Sequence, residues 1–163
     1  MRHQPPFPRY GFVRALSLAL AVSASAADPA KPPKPAPAIP EIELRGQVVC
    51  LAEAMHRLHE ADLPTGHAHV FGFRTKDGKF YTLLRTKLSE ALFDDERLRA
   101  KELLLKGRVF PRSQVFEPTR IRSAHNGVVH DLYYYCDVCD IQSVSPAECA
   151  CCQGPVELIE KPR

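Results

Sequence analysis

The chain has 163 residues, six of them Cys and 15 Pro, no Trp, and a formal net charge of +3 at pH 7. The excess is confined to the N-terminal quarter: residues 1–40 carry Arg2, Arg9, Arg14, Lys31 and Lys34 against Asp28 alone, so residues 41–163 hold 17 Lys and Arg against 18 Asp and Glu. A polyanion-binding role needs a basic surplus, and the bulk of this chain has none, so no nucleic-acid partner is expected.

Residues 1–27 are expected to be a secretory signal peptide. Arg2, Arg9 and Arg14 precede the small apolar run Ala15-Leu-Ser-Leu-Ala-Leu-Ala-Val-Ser-Ala-Ser-Ala-Ala27, which ends in an Ala-x-Ala pattern. The run is short for a bilayer span, so no stable anchor is expected after cleavage and a secreted or periplasmic location is implied. A retained anchor and a structureless tail are the alternatives. Residues 28–40 hold six prolines and read as a semi-rigid linker in extended conformation.

From residue 41 the pattern is mainly β with short helices. Ile42, Leu44 and Val48 alternate around Gly46, which predicts a strand with a bend over 41–51. Residues 52–63 carry Met55, Leu58 and Ala61 or Leu63 near helical spacing and predict a short helix or structured loop, ended by Pro64-Thr-Gly66. Residues 67–74 and 79–86 predict two strands joined by an Asp77-Gly78 turn. Ser89 is placed to cap a helix whose acids come early and bases late, or two short helices in succession. Leu103 to Phe110 predicts a strand with a bulge at Gly107. Val115–Ala124 and Val128–Tyr135 predict a hairpin about His125-Asn126-Gly127, the second strand running into Cys136.

The order strand, hairpin, helix, strand, strand resembles a five-stranded Greek-key barrel, the OB-fold, as found in small exported bacterial proteins. The resemblance rests on Leu44-x-Gly46-x-Val48, the Asp77-Gly78 hairpin and Leu105-x-Gly107-x-Val109, and covers residues 41–134. OB-folds that hold single-stranded nucleic acid use aromatic platforms in a basic groove. Phe71, Phe73, Phe80 and Tyr81 are instead expected in the core, and Arg108, Arg112, Arg120 and Arg122 on a solvated face.

The strongest chemical signal follows. Cys136-x2-Cys139 and Cys149-x2-Cys152 are two pairs separated by nine residues. Cys-x2-Cys lets two sulfurs of one tight turn reach one ion, and two such pairs offer the tetrahedral sulfur set that Zn²⁺ takes in structural sites. Thiolates also suit Cu(I) and Fe and disfavour hard cations. The alternative is one or two disulfides. The fifth clustered cysteine, Cys151, can substitute for Cys149 or Cys152, or pair with Cys50.

The spacing resembles a zinc ribbon, and Tyr134-Tyr-Cys136-Asp-Val-Cys139 with Pro146-Ala-Glu-Cys149-Ala-Cys151-Cys152 resembles the heavy-metal-binding domain of copper-transporting ATPases and efflux adaptors. That resemblance covers residues 134–158 and implies a metal at Cys136, Cys139, Cys149 and Cys152. Cys139 stands where that family has His, and its Met residues are absent, which turns the expectation from copper toward zinc. The domain plan is thus a signal peptide (1–27), a linker (28–40), an OB-like barrel (41–134), a four-cysteine ribbon (135–158) and a tail (159–163).

A second constellation, His56, His59, His67 and His69 with Cys50 near in sequence, fits another soft-metal site; the alternative is a scatter of solvent-facing histidines. His125 and His130 are expected at the surface. No nucleophile-elbow, phosphate-loop or zinc-protease motif occurs, and a Cys50–His56 nucleophile pair has no supporting motif. The expected protein is exported, non-enzymatic and zinc-binding, with an unidentified protein partner or ligand. Reversible copper or zinc handling and a rubredoxin-like iron electron carrier are the rival readings.

Overall fold

The computed structural model describes residues 38–163; the expected signal peptide and all but the last three linker residues lie outside the described residues. Eleven elements follow in order: β1 (Glu41–Cys50), α1 (Leu51–His59), β2 (Phe71–Thr75), β3 (Phe80–Leu83), α2 (Ala91–Asp94), α3 (Glu96–Arg99), β4 (Leu103–Val109), β5 (Val115–His125), β6 (Val128–Cys136), β7 (Ile141–Ser143) and β8 (Glu157–Pro162). The protein is therefore mainly β with short helices.

Five strands close into a ring. β1 pairs antiparallel with β2 and β4, β2 with β3, and β4 with β5, and a short parallel pairing of β3 with β5 completes the circuit. β1 serves two neighbours because it changes partner at Gly46, which faces Thr75 of β2 and Leu103 of β4. A Cβ at Gly46 would lie 2.0 Å from the Arg74 carbonyl oxygen, so only glycine permits this approach. The irregularity expected at Gly107 is also present: the β4–β5 register shifts between Lys106 and Gly107, leaving Thr119 of β5 without a partner. Pro118, which has no N–H to donate, sits beside this break in the ladder.

The ring closes on a dry core. Phe73, Phe116, Leu92, Leu98, Leu103 and Leu105 are all under 2% exposed. Each such side chain contributes about 1.5–3 kcal/mol by leaving water. Of the aromatics expected there, Phe73 is fully buried, whereas Phe71, Phe80 and Tyr81 are half-buried at its edge. Arg108 pairs with Glu117, and Arg122 with Glu43 and Asp131, so two of the four arginines of the expected basic face are neutralised by acids.

The expected pair of short helices is present, and Asp95 is the reason for the break. It is extended (φ −107°), accepts from the Arg97 backbone N–H and so caps α3. Ser89 does not cap α2: its buried hydroxyl accepts from Thr86 N–H and donates to the Leu84 carbonyl, holding the turn before the helix. The helix expected over 52–63 ends at His59, where Glu60 takes left-handed backbone (φ 54°). The strand expected from His67 begins at Phe71; residues 67–70 approach it without joining the ladder.

Two strands lie outside the expected set. β6 carries β7 and β8 through Tyr134↔Ser143 and Tyr134↔Leu158. Residues 159–162, set apart as a tail by the sequence pattern, continue β8 along β6 as far as His130↔Pro162. The Glu160 carboxylate accepts from Ser123 Oγ of β5 (2.6 Å) and pairs with Lys101 (2.5 Å). Although burial works against the charge, those partners hold the Glu160 carboxyl below its ordinary range.

Candidate metal centre

The ribbon starts where β6 leaves the ring. Tyr134 is 2% exposed, and its hydroxyl donates to Asp95 Oδ2 (2.8 Å). Asp95 in turn receives the Arg97 guanidinium, with Nε at 2.9 Å and Nη2 at 2.7 Å. Arg97 first, then Tyr134, hold the Asp95 carboxyl below its ordinary value. Burial, and then the Asp95 carboxylate, push the Tyr134 phenol well up. This buried contact lies two residues before Cys136, so the first ligand position is anchored to the core of the ring.

Two similar turns then follow. After Cys136-Asp-Val-Cys139, Asp140 takes left-handed backbone (φ 55°); after Cys149-Ala-Cys-Cys152, Gln153 does the same (φ 57°). In the second turn Gln153, not the glycine that follows it, carries the positive φ. Gly154 instead serves the sulfur: its N–H donates to Cys152 Sγ (3.4 Å) while its carbonyl accepts from Cys149 N–H (2.9 Å). Gln153 N–H donates to the Cys149 carbonyl (2.8 Å), which closes the turn. In the first turn the Tyr135 hydroxyl donates to Asp140 Oδ1 (2.7 Å).

The result brings Cys136, Cys139, Cys149 and Cys152 together, with all four sulfurs within 4.8 Å of one another and Cys136 Sγ 3.5 Å from Cys152 Sγ. Sulfurs around a tetrahedral zinc with bonds of about 2.3 Å stand about 3.8 Å apart, so sulfurs this close can share one such ion. Cys136 and Cys149 are buried, Cys139 is half-buried and Cys152 is exposed. Cys151, the possible substitute, is exposed and outside the set of four, although its thiol lies against Cys139.

The electrostatics of the cluster are uneven. Backbone N–H groups of Cys152 and Cys151 aim at Cys149 and bring its thiol down to about 7. The neighbouring thiols of Cys151, Cys152 and Cys149 push Cys139 well up. At Cys136 the Cys139 N–H favours the thiolate, but burial and the thiols of Cys152 and Cys149 outweigh it and the value rises. One thiolate is stabilised, and its like-charged neighbours are then disfavoured. A cation at the centre removes that conflict, since it is the charge that four adjacent thiolates lack. The residues fit a soft metal ion.

All six cysteines are free in the structure, and Cys50 faces His67 rather than Cys151, with Sγ 3.6 Å from Nε2. The four histidines divide. His56 and His59 are exposed on α1, and His56 Nδ1 is 2.7 Å from the Ala61 carbonyl oxygen. His67 and His69 come together with Cys50 and Glu53. Glu53 had no place in the sequence reading. The available signal was Cys50-x2-Glu53 at a strand-to-helix corner opposite His67-x-His69. His125 is exposed and His130 half-buried.

Comparison of the chain with protein-family models, with curated proteins and with solved structures finds no match. The four-cysteine cluster on a β-rich framework is thus the feature from which function has to be argued.

Proposed function

We propose that this is an exported, non-enzymatic protein in which a zinc ribbon is fixed to an OB-like barrel, the zinc being structural and the combined surface serving a protein partner or ligand. The observation that carries the reading is the convergence of four sulfurs from two turns of the same design. Cys136, Cys139, Cys149 and Cys152 would hold the ion, and Zn²⁺ would supply charge neutralisation and cross-linking without redox chemistry. The ring order β1-β2-β3-β5-β4, with α2 and α3 between β3 and β4, supports the OB-like assignment. Export rests on residues 1–27 of the sequence.

Exposure of Cys152, with the spare thiol of Cys151 next to it in sequence, favours a second reading: reversible handling of zinc or copper, because an exposed ligand beside a free thiol is open to exchange with another thiol carrier. Metal analysis and a visible spectrum of natively exported protein separate these readings. The structural reading expects colourless protein whose ribbon zinc is absent from Cys136→Ser and resists competing thiols. Copper acquired in competition with a strong chelator supports handling instead, and a red-brown iron band supports a rubredoxin-like carrier. Oxidised cluster cysteines with no metal would contradict every one of these readings.

A further inference from the structure

We propose that Cys50, Glu53, His67 and His69 form a second transition-metal site, independent of the ribbon and of one-thiolate, two-imidazole, one-carboxylate composition. The four donor atoms lie within 4.8 Å of one another. Cys50 ends β1, Glu53 lies in the first turn of α1, and His67 and His69 lie in the segment before β2 with their ring centroids 5.0 Å apart. The Leu51 N–H bond to the Val70 carbonyl (2.9 Å) holds that segment against the corner.

The His–Glu53 spacings are longer than direct hydrogen bonds and match those of ligands that share one ion. His67 Nε2 is 3.4 Å and His69 Nδ1 3.5 Å from the same oxygen, Glu53 Oε1. An N–H···O bond would place them about 2.9 Å apart. Nitrogen and oxygen ligands on a tetrahedral zinc, each about 2.0–2.2 Å from it, stand about 3.4 Å apart, and a thiolate and an imidazole about 3.6 Å apart. The observed Cys50–His67 separation of 3.6 Å meets the second value. The imidazole planes are nearly perpendicular (74°), as two rings aimed at one point from neighbouring positions can be. The His69 ring is stacked on Phe71, and Glu53, His69 and Phe71 border a cavity of about 320 Å³ with Arg57 and Arg99, so the site is open to solvent on one side.

The mixed set is borderline in softness, which suits Zn²⁺ and its spectroscopic substitute Co²⁺ better than Ca²⁺ or Mg²⁺. Bound metal would clip the segment between α1 and β2 to the β1–α1 corner. The site shares no residue with the ribbon, so the proposal stands whether or not the ribbon reading does.

Co²⁺ titration of the full chain under reducing conditions tests it. Two equivalents are expected, and the Cys136→Ser, Cys139→Ser double variant should retain one, with the sulfur charge-transfer band of a single thiolate. Glu53→Gln and His69→Ala alter exposed or half-exposed side chains and leave the buried Cys50 in place. Each should weaken that remaining equivalent by more than about tenfold, the loss that even partners behind a ligand can cause. Loss of the ribbon equivalent alone would fault the ribbon and leave this site standing. A single equivalent confined to the ribbon, or a second one indifferent to both variants, overturns the proposal.

Discussion

The ring and the ribbon are held together by different means, although β6 runs from one to the other and β8, with Val156 just before it, ties back to the ring. Glu160 meets Ser123 and Lys101, and Val156 and Leu158 pack against the core. The ring buries six large side chains to under 2% exposure. Between residues 136 and 154 the buried residues are Cys136 and Cys149 alone, while Val138, Ile141 and Val144 are 78%, 40% and 53% exposed. The ring closes through backbone ladders on an apolar core; the ribbon has two turns, three residues of β7 and four converging sulfurs. Where a segment is too short to bury a core, a metal can take over the core's role.

Removing the proposed metal should therefore have the largest effect, and it should be local. Structural zinc contributes apparent binding free energies of about 10–16 kcal/mol in isolated finger units at neutral pH. A Cys136→Ser, Cys149→Ser double variant is expected to lose backbone order over residues 137–155 while the ring remains folded, which residue-resolved NMR would show. Collapse of the ring signals in that variant would mean that the two regions are not separable.

The reverse experiment strikes the core. Phe116→Ala should destabilise the ring by about 3–5 kcal/mol, the usual range for emptying a buried aromatic site. Denaturant unfolding followed by aromatic fluorescence checks this. The ribbon is expected to disorder with it, because β6 and β8 lose the β5 edge on which they rest.

The joint between the regions comes next in size. Tyr134→Phe removes a hydrogen bond to a buried carboxylate and should cost about 1.5–3 kcal/mol. The Asp95 carboxyl lies below its ordinary value of about 4. Its contribution is complete above that unfolded-state value and is lost as pH falls through the lower folded one. Asp95→Asn should flatten this acid dependence, and an acid limb as steep as in the unaltered protein would remove Asp95 from the account.

The smallest predicted effect is a gain. Gln153 holds left-handed backbone, which disfavours a side chain by about 1–2 kcal/mol, partly offset by glycine's greater freedom when unfolded. Gln153→Gly should stabilise the ribbon by about 0.5–1 kcal/mol, measurable as a slower loss of zinc to a chelator.

The same contrast governs what could be read in the sequence. The hairpins within the ring and at its β5–β6 edge were legible because Asp77-Gly78 and Asn126-Gly127 mark turns locally, and Gly46 and Gly107 interrupt alternating strands. Its closure was not, because the β3–β5 pairing is parallel and joins residues more than thirty apart. β8 was missed because nothing sets Glu157-Leu-Ile-Glu apart from the cysteine turn before it; β6 supplies its partner. The four sulfurs were legible from spacing alone. Glu53 and the split of the histidines depend on how the β1–α1 corner meets residues 67–69, a tertiary juxtaposition with no local signature.

The central claim is that metal holds the ribbon as apolar burial holds the ring. Amide hydrogen exchange of the purified full chain, with and without a zinc chelator, tests it most directly. The account predicts that the amides of Cys149, Gln153 and Gly154 are protected before chelation and exchange freely after it, while those of Phe73 and Leu105 keep their protection. Protection at Cys149 and Gln153 that survives complete metal removal would contradict it.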